Sequence, residues 1–270
     1  MKLTYLGTAA AEGFPALFCN CDYCAEARRL GGKNIRTRSQ ALLDDELLID
    51  LPADTYLHFL SHGIEGDRLR YLFITHPHYD HFEPGNLEFR YGCNAHKLRV
   101  PLLEVYGGLG VADRLPGIDE KKNVIVRPIL PFETVQAGDY TVTALPARHM
   151  PNALFYLFQR DGRTLLYAHD TGFFREEVFS FLAEQKLHID LLSMDCTNVD
   201  IPISDEGGHM GFPNIERLLA RLSALGCVDE RTVKVVNHFS HNGNPLHAHL
   251  EERAAAYGCI VSYDGMSLEV

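Results

Sequence analysis

The chain has 270 residues, 46% of them hydrophobic and 23% charged. That is the make-up of an ordinary globular protein with room for one substantial core. Its formal net charge of −11 repels a nucleic-acid backbone and argues against a long nucleic acid as partner. A small anion stays compatible if bound cations reverse the field locally. There is no run of about 18 apolar residues, so no membrane span is expected. The polar opening Met1–Gly7 reads as a first strand rather than a secretory leader, which points to a cytoplasmic protein.

Taken in chain order, short apolar runs alternate with turn residues, and no repeat or linker divides them. Leu3–Leu6, Gln40–Leu43 and Leu47–Asp50 read as strands, the last two joined by a tight acidic turn. Ala53–Ser61 reads as a helix. Tyr71–Thr75 is a continuous apolar run, the mark of a strand buried on both faces. Val124–Ile129 and Tyr140–Ala144 follow. Leu154–Gln159 and Thr164–Ala168, joined by Asp161-Gly162, form a hairpin pattern. Phe174–Gln185 and Pro213–Leu225 read as amphipathic helices, and Asp190–Asp195 and Val233–Asn237 as strands. Pro245–Tyr257 reads as a helix with Pro245 in its first turn. Ile260–Tyr263, Asp264-Gly265 and Ser267–Val270 read as a closing hairpin. A strand-rich first half and an alternating second half predict an α/β fold in one domain, with two sheets face to face and helices outside.

The chemistry concentrates in Thr75-His76-Pro77-His78-Tyr79-Asp80-His81, directly after a buried strand. His76 and His78 are two apart, so in extended backbone both imidazoles reach one metal. Asp80 and His81 follow as the loop turns, and can face a second. Imidazole and carboxylate together suit Zn²⁺, Mn²⁺ or Fe²⁺. Three more candidates end strand-like stretches: His149, Asp170 and His238. His169 competes with Asp170, but neighbours on a strand point to opposite faces. Asp170 is favoured because a carboxylate can bridge two cations.

Seven cysteines are present, and three crowd into Cys19-Asn20-Cys21-Asp22-Tyr23-Cys24. In a chain without disulfides such a cluster points to metal. Cys93, Cys196, Cys227 and Cys259 are scattered and are expected as buried small hydrophobes.

The order His76-x-His78-x-Asp80-His81, then His149, Asp170 and His238, resembles the metallo-β-lactamase superfamily over essentially the whole chain. The resemblance implies a four-layer αββα sandwich and a binuclear site. In it His76, His78 and His149 would hold one metal, Asp80, His81 and His238 the other, and Asp170 would bridge them. Cys19-x-Cys21-x-x-Cys24 is in turn similar to the cysteine motif of PhnP-type phosphodiesterases of the carbon–phosphorus lyase pathway. That likeness implies a structural zinc held by Cys19, Cys21, Cys24 and His241, tying an excursion at about 14–38 to the loop that carries His238. It also implies that His209, in Gly207-Gly208-His209-Met210-Gly211, faces the scissile phosphate and protonates the leaving alkoxide. Asp80 and Asp170 would flank the attacking water, activated by two divalent metals, Mn²⁺ or Zn²⁺.

The expected function is therefore hydrolysis of a small, possibly cyclic, phosphodiester, and relatives of this type suggest a homodimer. A tRNA 3′-processing nuclease shares the metal site, but would bring a basic exosite arm. A PqqB-type protein of quinone-cofactor biosynthesis shares the cysteine motif, with a less complete metal loop. A β-lactamase or thiolester hydrolase would lack the cysteines. A purely structural metal protein would close its site with four ligands rather than seven.

Overall fold

The apolar runs fold as strands, and the computed structural model, which describes residues 1–270, sets them in two seven-stranded sheets. In chain order the strands are β1 (Lys2–Gly7), β2 (Gln40–Leu43), β3 (Leu47–Ile49), β4 (Tyr71–Ile74), β5 (Leu103–Gly107), β6 (Val124–Pro128) and β7 (Thr134–Ala137). They continue as β8 (Tyr140–Pro146), β9 (Leu154–Arg160), β10 (Arg163–Ala168), β11 (Leu191–Asp195), β12 (Val233–Asn237), β13 (Ile260–Val261) and β14 (Ser267–Glu269). One sheet runs β14-β1-β2-β3-β4-β5-β6 and the other β13-β12-β11-β10-β9-β8-β7. The helices are α1 (Asp22–Leu30), α2 (Thr55–His62), α3 (Leu109–Ala112), α4 (Glu176–Gln185), α5 (Phe212–Ala224) and α6 (His247–Ala255).

Side-chain alternation decides the layering. In β10, Leu165 and Tyr167 point between the sheets, where they join Tyr5, Ile49, Phe73, Tyr156, Phe158 and Val235. Leu166 and Ala168 point the other way and are covered by Val178 and Leu182 of α4, Ile215 and Leu218 of α5, and Leu250 of α6. On the first sheet Leu42, Leu48, Leu72 and Val105 face outward, with Phe59 of α2 packed against them. Two buried faces per central strand explain why the runs are apolar throughout rather than alternating. The result is the αββα sandwich. Phe73 anchors the middle layer: its ring stacks on Tyr106 at 4.6 Å and meets Tyr156 edge-on at 5.2 Å. Phe73→Ala is expected to cost about 3–5 kcal/mol of stability, read as a lower denaturation midpoint.

In the second sheet β10, β11, β12 and β13 are parallel neighbours, each linked to the next through one of α4, α5 and α6. Their carboxyl ends therefore lie along one edge, where polar side chains collect.

Several expectations need correction. Asp264-Gly265 does not close a hairpin: β13 pairs with β12, and β14 pairs with β1 in the other sheet. The turn chemistry was read correctly as a turn, but it crosses between sheets. The Asp264 carboxylate is tied there by Thr8 Oγ1 and Thr37 N, both 2.6 Å away. Helix α6 starts at His247, after Pro245, because Leu246 stays extended and packs into the small core of Ala9, Phe14, Ala16, Cys24 and Ala27. That core belongs to the excursion at 14–38, whose helix α1 was not anticipated, nor were β5 and β7. Cys93 is exposed rather than buried; Cys196 and Cys227 are buried, and Cys259 is partly so. No helix is long and apolar enough to cross a membrane.

Candidate metal centre

The candidate ligands sit just past strand ends: His76 after β4, His149 after β8, Asp170 after β10 and His238 after β12. The fold brings them into two groups. Ligand atoms of His76, His78 and His149 lie within 4.8 Å of one another, and so do those of Asp80, His81, Asp170 and His238. His78 Nδ1 is 2.9 Å from His76 Nε2 and 3.2 Å from His149 Nε2, and His81 Nε2 is 3.3 Å from His238 Nε2. Asp170 stands between the groups, with Oδ2 3.8 Å from His76 Nε2 and in contact with His81 Nε2, and Oδ1 3.3 Å from His238 Nε2.

This geometry fits cations better than hydrogen bonds. Three imidazole nitrogens converge on one point, where a single proton could link only two of them. Asp170 Oδ2 is buried and makes no hydrogen bond, despite its contact with His81. A buried, unpaired carboxylate oxygen is costly unless a charge completes it. Burial pulls His76 well below the usual histidine range, which leaves its ring neutral and able to ligate. Burial would raise Asp170, but the charges of His238 and His81 outweigh it and hold the carboxyl well below its usual range.

The far ring nitrogens of His76, His81 and His238 are anchored, which orients the near ones. His81 Nδ1 donates to Asp50 Oδ2 at 2.7 Å, and Asp50 also accepts from Thr75 N at 2.7 Å. His76 Nδ1 meets Thr75 Oγ1 at 3.0 Å, and His238 Nδ1 meets Thr197 Oγ1 at 2.8 Å. Asp50, Asp170 and His238 all take left-handed backbone, with φ of 65°, 48° and 65°. Non-glycine residues rarely do so, and such strain gathers where side chains must be aimed. Asp50→Asn is expected to weaken metal retention about 10- to 100-fold, measured by titration with a competing chelator.

His209 joins the site from the loop before α5. Its Nδ1 lies 3.0 Å from Asp195 Oδ2, 3.3 Å from Asp170 Oδ1 and 3.2 Å from Thr197 Oγ1. Burial alone would lower this imidazole, but the Asp195 carboxylate prevails and raises it to about 9. Asp195 is itself fixed by Met210 N at 2.9 Å and Thr197 N at 3.1 Å. Gly172 lets the loop dock: a Cβ there would meet Gly207 O at 1.8 Å. His209, His78, Tyr79, Asp80, His149, Asp170, Thr197 and His238 line one open cleft of about 310 Å³.

His169 is absent from both groups. It points away from Asp170, bonds Ser193 Oγ at 2.7 Å and accepts from Asn237 Nδ2 at 3.1 Å.

The cysteines form a third group. Sγ of Cys19, Cys21 and Cys24 and a ring nitrogen of His241 lie within 4.8 Å of one another. His241 Nδ1 is 3.8 Å from Cys21 Sγ and 3.7 Å from Cys24 Sγ. All seven cysteines are free. The His241 contact lowers the Cys21 thiol to about 6, into the thiolate range, while burial raises Cys24 to about 11. Three thiols and one imidazole are the donor set of a closed tetrahedral zinc site. His247 and His249 lie on α6 and turn instead to Arg36 and Asp200.

Sequence reasoning had not singled out Asp50, Asp195 or Thr197. The first two carry a legible signal, an acid closing an apolar strand, as at Asp170. Thr197 carries none.

Two facing sheets with histidine and carboxylate groups gathered at the strand ends define a metallo-β-lactamase-fold protein, a class that takes divalent metals. Residues 52–239 match the family described as Beta-lactamase superfamily domain, and the chain belongs to that superfamily. Coenzyme PQQ synthesis protein B of Klebsiella pneumoniae (strain 342) is 26% identical over 313 residues, spanning 99% of this chain and 98% of that protein. Among solved structures, Zn(2+)-bound PqqB from Methylobacterium extorquens aligns with a TM-score of 0.75 at 18% identity, over 100% of both chains. A diphosphatase from the PhnP family aligns with a TM-score of 0.74 at 19% identity, over 100% of this chain and 96% of that one.

Proposed function

We propose that this chain is a metal-dependent phosphodiesterase of PhnP-like type, acting on a small diester. The observation that carries the reading is His209, held by Asp195 beside both ligand groups in an open cleft. A site that only stored metal would have no use for a fixed proton donor facing solvent. In this reading His76, His78 and His149 would hold one ion and Asp80, His81 and His238 a second, with Asp170 available to both. Bound divalent metals, Mn²⁺ or Zn²⁺, would supply Lewis acidity and activate water at neutral pH. Asp80 and Asp170 orient the nucleophile. His209 gives its proton to the leaving oxygen, and its charge, balanced by Asp195, faces the phosphoryl group. The cleft volume of about 310 Å³ supports a small substrate. A processing nuclease is disfavoured by the net charge of −11.

A second reading has its own support. The full-length match to a PQQ synthesis protein favours a cofactor-biosynthesis role on the same fold. The two part on turnover. Protein purified without chelators is assayed against 2′,3′-cyclic nucleotides, ribose cyclic phosphates, linear diesters and single-stranded RNA. Metal-dependent hydrolysis of the small diesters supports the phosphodiesterase. Metal-loaded protein inert to all of them removes it and leaves the cofactor-biosynthesis role.

The cysteine group is proposed as a structural zinc site. Mass spectrometry should find about three metals per chain, two in the active site and one zinc. Cys21→Ser is expected to lose the zinc alone, with a lower melting temperature. An unchanged metal count in that variant would remove the structural zinc.

A further inference from the structure

Glu12 belongs to neither ligand group, yet it lines the same cleft as His78, Asp80, His149 and His209. Its side chain is 30% exposed. Oε1 accepts from Ser240 Oγ at 2.6 Å and from His241 N at 3.2 Å. Ser240 Oγ accepts in turn from Asn242 Nδ2 at 3.0 Å. One carboxylate oxygen is thus held by the turn that presents His241 to Cys21 and Cys24. Neither bond uses Oε2, which is left for whatever enters the cleft.

We infer that Glu12 determines specificity: its free oxygen accepts from a hydroxyl on the alcohol part of the substrate and rejects a second anionic group there. The inference rests on the phosphodiesterase reading above. A carboxylate is an acceptor without a proton to give, so it strengthens a hydroxyl's hydrogen bond and opposes a like charge. The cleft therefore divides its labour. The histidine end takes the phosphodiester anion, and the Glu12 end takes a neutral, hydroxylated group. The cysteine group gains a role beyond stapling, because the turn it fixes also holds this carboxylate in place.

Two probes that differ at one position test this. They are 2′,3′-cyclic AMP, with a free 5′-hydroxyl, and the same nucleotide carrying a 5′-phosphate. The 5′ substituent is the part of the sugar that extends away from the cyclic phosphate. Wild type and Glu12→Gln are compared by kcat/KM. Glutamine keeps an acceptor for Ser240 and His241 and replaces the free oxygen by a donor, so the turn is preserved. Wild type is expected to prefer the 5′-hydroxyl form by about tenfold or more, and the variant to lose or reverse that preference. Equal use of both probes by wild type, or the same preference in the variant, overturns the role of Glu12 while leaving the phosphodiesterase intact. Turnover of neither probe leaves the phosphodiesterase reading to the wider panel of substrates above. The ratio of the two dissociation constants, measured by calorimetry on the metal-loaded proteins, then decides for Glu12 by the same criterion.

Discussion

Asp170→Asn is expected to give a folded protein with depleted active-site metal and turnover at background. Asparagine is the informative replacement because position 170 has φ 48°, a conformation asparagine tolerates better than alanine. The substitution removes charge and leaves shape. Asp170 is the one carboxylate within reach of His76 in one group and of His81 and His238 in the other. Loss of an anchor behind a ligand costs about 10- to 100-fold in metal affinity, and loss of a residue proposed to serve both ions should exceed that. Elemental analysis after dialysis reads the metal directly, with circular dichroism as the check on folding. Retention of the wild-type metal content would remove Asp170 from its bridging place.

The second large effect belongs to His209. His209→Ala is expected to lower kcat by about 10²- to 10⁴-fold with metal content unchanged. The expectation follows from where its ring is tied: Nδ1 is 3.0 Å from Asp195, which leaves the other nitrogen for the cleft. The competing arrangement is that Asp170, Asp195, His209 and His238, whose ligand atoms also lie within 4.8 Å of one another, share an ion. Metal analysis of the variant separates the two. A lost ion marks His209 as a ligand, and a full complement with slow turnover marks it as the proton donor. Wild-type kcat in a metal-replete variant would overturn both.

Much of the candidate site was legible because its signals are local. Three histidines and an aspartate within six residues, after the apolar run Tyr71–Ile74, need no tertiary knowledge to suggest metal. His149, Asp170 and His238 could be nominated because strand ends are readable from where apolar runs stop. Strand alternation leaves room for only one of His169 and Asp170, a carboxylate's capacity to bridge two cations favours Asp170, and the structure sends the two side chains opposite ways. The C-terminal strands show the limit of the same logic. Asp264-Gly265 predicts a turn but not its partners, and the two short strands beside it found separate sheets.

The sequence by itself determined the donor chemistry and the αββα layering, since both rest on residue type and on periods of a few residues. Only the tertiary structure decided which polar groups meet. Asp50 supports His81 across 31 positions, Asp195 holds His209 across 14, and Glu12 reaches His241 across 229. No local pattern encodes such pairings. They arise when strands distant in the chain end along one edge of the sandwich, where buried polar groups must find partners there or be excluded.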